Sequence, residues 1–90
     1  MAFSKTMVEK FELPGGLVLE RGRWLGTAVT TGNVTADTAV KPVIADVVMF
    51  GFASDGDTAV LPATDVSPNV VKITFTSGDA GSYFLVGKAR

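Results

Sequence analysis

Any chemistry done by this chain must come from carboxylates, amines, guanidinium groups, hydroxyls or the single tryptophan, because its 90 residues include no histidine and no cysteine. Without histidine there is no Ser-His-Asp triad and no imidazole base or metal ligand. Without cysteine there is no thiolate nucleophile, disulfide framework or Cys-based metal site. Asp55-Gly56-Asp57 sets two carboxylates around a glycine, like a fragment of a calcium loop. It lacks the further acidic positions and the terminal glutamate of an EF-hand, so a solvated hairpin turn is the better reading. Asp37, Asp46, Asp55, Asp57, Asp65 and Asp79 fall mostly at turns, where aspartate bonds its own backbone. Asp46 differs, because it interrupts an apolar strand; it either faces outward or caps an amide of a partner. Pro14-Gly15-Gly16 and the Gly22-x-x-x-Gly26 spacing match no phosphate-binding fingerprint. Arg21, Arg23 and Trp24 offer a platform for phosphates or sugars, although arginines flanking a sheet-packed tryptophan are commoner. The serines have no base placed beside them. No catalytic, cofactor or metal site is expected, and the chain is not expected to be an enzyme.

The elements that would position these residues are strands. Valine and threonine dominate, glutamine is absent, and glycines and prolines punctuate the chain. Strands are expected over residues 6–13, 17–31, 33–40, 43–53, 69–76 and 82–89, with a short segment over 58–61 and a loop over 63–68. The phase of alternation changes between Glu20 and Leu25, and Gly22 inside it suggests a bulge or bend. The apolar run 43–53 has the length of a short buried helix, but Pro42, Gly51 and its β-branched and aromatic content favour a strand. Val71, Ile73 and Phe75 alternate inward on theirs. These pieces give an all-β fold, a small antiparallel sandwich of about six strands. Residues 1–14 form an N-terminal extended arm or edge strand, and residues 15–90 a single domain.

A domain of this length has a thin stability margin, yet 47% of its residues are apolar and only 19% charged. A net charge of −1 gives no footprint for nucleic acid or an anionic membrane. No membrane helix or signal segment is expected. Strands 43–53 and 82–89 read as apolar on both parities, whereas a sandwich strand buries one face. Either a twisted sheet or closed barrel covers the second face with its own loops, or another chain does. The second reading is favoured, because the aromatic residues would otherwise form a large exposed patch. Its candidate interface residues are Phe3, Met7, Phe11, Trp24, Phe50, Phe52, Tyr83 and Phe84. The segment 1–13 is either an ordinary edge strand or an arm that augments a neighbouring sheet.

From Gly26 onward, the order of features resembles small tailed-phage virion proteins whose layout is similar to the H-type lectin sandwich. The residues that carry this likeness are Gly26-Thr27-Ala28-Val29-Thr30-Thr31-Gly32-Asn33-Val34-Thr35-Ala36-Asp37-Thr38, the apolar strand after Pro42, Val70-Val71-Lys72-Ile73-Thr74-Phe75, and Ser82-Tyr83-Phe84-Leu85-Val86-Gly87-Lys88. They cover about two-thirds of the chain. H-type lectins close with a Trp-x-Ala-x-Gly-like strand, which Tyr83-Phe84-Leu85-Val86-Gly87 does not match, and their sugar-binding residues have no counterpart here. The resemblance implies a homotrimeric virion component made in a host cytoplasm, a decoration or cement protein that partners the phage major capsid protein. Residues 1–13 would contact the capsid lattice. The alternative is a carbohydrate-binding or receptor-binding fibre-tip module using Trp24 or loop residues.

Overall fold

A computed structural model of the chain describes residues 2–56 and 60–89, and the side chains of these residues apart from 2 and 62–66. The fold is all-β, with two antiparallel sheets facing each other. The strands are β1 (Ala2–Leu13), β2 (Leu17–Thr27), β3 (Thr31–Thr35), β4 (Ile44–Ser54), β5 (Leu61–Ser67), β6 (Val70–Thr74) and β7 (Ala80–Ala89). One sheet has the order β1-β2-β7-β4 and the other β3-β6-β5.

The expected strand 17–31 is two strands in different sheets. Ala28 takes a left-handed φ of 59°, which an L-residue with a Cβ adopts at a cost of about 1–2 kcal/mol. The ladder of β2 ends at Thr27, and the chain crosses to the second sheet as β3. The expected strand 33–40 is likewise shortened, because β3 ends at Thr35. Beyond it, the Asp37 carboxylate accepts the amides of Ala39 and Val40, replacing a ladder with a side-chain turn. The loop expected over 63–68 is mostly the edge strand β5, paired with β6 despite Pro62; proline is tolerated where only one side of a strand is paired. The segment expected over 58–61 begins among residues outside the described set, as does Asp57.

Between the sheets, Val18, Trp24, Val34, Ile44, Val71, Ile73, Phe75, Tyr83 and Leu85 are buried. Alternation along β2 does not change phase. Val18, Glu20, Gly22, Trp24 and Gly26 all point inward, and the apparent interruption is a charged residue inside the core. The expected bulge lies across the ladder, on β1. Met7 pairs with Gly22 and Glu9 with Arg21, which leaves Val8 as the extra residue. Gly22 is required there because a Cβ would run into the Thr6 carbonyl and lie 2.9 Å from the Met7 Cα.

Two similar shifts in β4, at Ala45 and Val48, account for its apolar residues on both parities. Each extra residue reverses the alternation, so Ile44, Val47, Phe50 and Phe52 all pack on the core despite their mixed spacing. Phe50 and Phe52 therefore face inward, where the sequence suggested a second exposed face. Their rings lie 5.8 Å apart, and Phe52 stacks on Tyr83 at 6.4 Å.

Candidate interaction surface

The two outward faces differ. On the β3-β6-β5 sheet, Thr31 lies opposite Thr74 and Asn33 opposite Lys72, a mostly polar surface with Leu61, opposite Thr74, 66% exposed at its edge. On the four-stranded sheet, the register places Phe11 beside Leu19, Leu19 beside Val86, and Val86 beside Met49. An apolar row thus crosses all four strands on the side away from the core. Val86 is only 2% exposed within that row, whereas Phe11 at 42% and Met49 at 55% lie open at its two ends.

The neighbouring rows carry charge and one further aromatic ring. On one side Glu9, Arg21, Phe84 and Gly51 lie in register; on the other, Leu13, Leu17, Lys88 and Asp46. Phe84 lies over Gly51, where a Cβ would collide with its ring. Arg21 Nε donates to Glu9 Oε1 at 2.6 Å. One row further on, Arg23 pairs with both oxygens of Asp55 and donates to Ser82 Oγ at 3.1 Å. The hydrogen bond from Arg23 holds the Asp55 carboxyl below its ordinary pKa. Val8, Arg21, Arg23, Ala53, Ser82 and Phe84 border a groove of about 380 Å³ on this face.

A second polar constellation lies inside. Glu20 is fully buried, and it accepts hydrogen bonds from the Tyr83 hydroxyl at 2.6 Å, the Asp37 amide at 2.7 Å and Lys5 Nζ at 3.1 Å. Lys10 Nζ stands 3.8 Å from the other carboxylate oxygen. Lys5 also donates to the Thr35 carbonyl at 2.5 Å, and Lys10 to those of Asp37 and Val40 at 2.8 and 2.7 Å. The bulge at Val8 brings Lys5 and Lys10, of opposite parity, to the same inner side of β1. Burial, and then the bond to Glu20, push the Tyr83 hydroxyl far above its usual pKa, because a phenolate there would face a carboxylate in a dry site. Burial favours the neutral form of Asp37 too, but the Ala39 and Val40 amides and the two lysines hold its pKa below the usual value. Every polar group of this cluster already has a protein partner, so its chemistry is that of a strut joining β1 to the segment after β3.

The sequence candidates divide accordingly. Trp24 and Tyr83 are buried, with the indole N–H donating to the Ser82 carbonyl at 3.2 Å. Phe3 is half-buried and joins Trp24 and Phe75 in an aromatic group, at centroid distances of 6.4 and 5.7 Å. Phe50 and Phe52 are half-buried against the core, and Met7 is half-buried on the inner side of β1. Phe11 and Phe84 stand on the outer face. Asp46 is also outward, opposite Lys88. Leu19, Val86 and Met49 complete the apolar row; the shifts in β4 hide from the sequence that Met49 shares the face of the other two. Among the described residues, no group of three or more acidic, histidine or cysteine side chains could hold a metal ion. No helix among them is long and apolar enough to cross a membrane. No protein-family model, curated protein or solved structure matches the chain.

Proposed function

We propose that this chain is a non-enzymatic structural subunit that associates with copies of itself through the outer face of the β1-β2-β7-β4 sheet. The observation that carries the reading is the apolar row Phe11–Leu19–Val86–Met49, bordered by charged residues and open at its ends, Phe11 and Met49, on the outer face of the four-stranded sheet. An apolar centre with a polar rim is the usual anatomy of a protein interface. The resemblance of residues 26–90 to tailed-phage virion proteins extends the proposal to a particle: a capsid decoration or cement protein, bound to the major capsid protein and strengthening the shell. Three copies is the number that this resemblance implies; the sheet face by itself speaks only for association.

The carbohydrate-binding alternative has less support where it rests on Trp24, because that ring is buried against Phe3 and Phe75 and offers no open platform. Light scattering on the purified protein at micromolar concentration is expected to give a multiple of the 9.4 kDa chain mass. A homogeneous 9.4 kDa species across that range would remove the proposal.

A further inference from the structure

The outer face is hollowed beside Phe84. Its ring leans across to Gly51, where no Cβ stands in the way. Ala53 and Ser82, cross-strand neighbours in the next row, are small, and the space between Phe84 and Arg23 opens into the groove of about 380 Å³. Small-ligand sites span about 300–1,000 Å³ and combine apolar walls with a few polar groups.

The charged lining is of one sign. Arg21 and Arg23 border the groove and no acidic residue does; their partners, Glu9 and Asp55, stand outside it. Arg23 is committed, because its two Nη groups hold the Asp55 carboxylate and Ser82 Oγ. Its guanidinium is thereby fixed as a flat wall on which a ring can stack. Arg21 is engaged only through Nε, and among the described residues neither of its Nη groups has a partner. Those two donors match the two oxygens of a carboxylate. Ser82 Oγ accepts from Arg23 and keeps its own proton to donate. Arg21 and Phe84 are cross-strand neighbours, so a ring lying on Phe84 carries an attached carboxylate to Arg21.

We infer that this groove binds a small aryl carboxylate, its ring against Phe84 and its carboxylate on the Nη groups of Arg21. The cationic lining complements the anion, and the aromatic wall complements the ring. The groove lies across the Arg21–Phe84 row from Phe11 and Met49. Every wall belongs to one chain, so the inference stands independently of self-association.

Phenylacetate, the neutral phenylacetamide and acetate, each titrated into the full-length protein at constant ionic strength, separate ring from charge. Backbone amide chemical shifts are the readout. Phenylacetate is expected to shift the Gly22, Ala53 and Ser82 amides saturably and to bind at least about tenfold more tightly than phenylacetamide, the usual gain from hydrogen bonds to a charged group. Acetate is expected to give no saturable shift there. Arg21→Gln should lower phenylacetate to the affinity of phenylacetamide and leave phenylacetamide unchanged, which also reports that the variant is folded. Ala53→Leu, at an exposed position, should fill the groove and remove binding of both. No saturable shift of these amides by phenylacetate in the native protein would overturn the site. Equal affinities for phenylacetate and phenylacetamide, or undiminished phenylacetate binding by Arg21→Gln, would overturn the carboxylate's place on Arg21. Acetate binding as tightly as phenylacetate would overturn the part given to the ring.

Discussion

Replacing Glu20 with alanine is expected to destabilise the fold by about 3–5 kcal/mol, the usual cost of stranding a buried partner of an ion pair. The Lys10 side chain is 1% exposed and would be left in the interior without the carboxylate. The Tyr83 hydroxyl and the Asp37 amide would lose their acceptor as well. For a domain of this size, such a loss is a large part of the total stability. Urea denaturation of Glu20→Ala should therefore show a much lower midpoint. Glu20→Leu combined with Lys10→Met is expected to be milder than Glu20→Leu alone, because the only cation then left without the carboxylate is Lys5, whose side chain is less buried than that of Lys10. A Glu20→Ala midpoint within experimental error of the native protein would show that the carboxylate is not the strut described here.

Replacing Trp24 with alanine is expected to cost about 3–5 kcal/mol, the range for removing a large aromatic side chain from a core. The ring is 2% exposed and lies 4.7 Å from the Phe75 centroid and 6.4 Å from that of Phe3. Its loss opens a cavity beneath the start of β1 and frees the Ser82 carbonyl. In a domain of 60–100 residues this corresponds to a fall of at least about 12 °C in Tm. Calorimetry on Trp24→Ala checks it. A variant with near-native Tm would place the indole outside the core, and would revive a surface role in recognition.

Trp24 and Glu20 also show how far the sequence could be read. The clean alternation of Val71, Ile73 and Phe75 was legible, because an undisturbed strand has a period of two and these residues are buried as the pattern requires. Glu20 was read as a phase change because a pattern based on apolarity cannot distinguish a buried charge from a change of face. Its cations, Lys5 and Lys10, sit on another strand and share a side only through the extra residue at Val8. The same limit applied to β4. Two inserted residues turned a one-sided strand into an apparently two-sided one, so Phe50 and Phe52 looked exposed. The surplus of apolar residues was nevertheless real. On the outer face it stands open as Phe11, Met49 and Phe84, only partly where parity had placed it.

Sedimentation equilibrium on Met49→Lys and Thr74→Lys tests the central claim most directly, since the two positions lie on the opposite outward faces of the same sandwich. Both residues are exposed, so a lysine disturbs neither core. The expected result is that Met49→Lys sediments as a monomer while Thr74→Lys keeps the mass of the native oligomer. Dissociation by Thr74→Lys with Met49→Lys still assembled would place the interface on the wrong sheet and contradict the account.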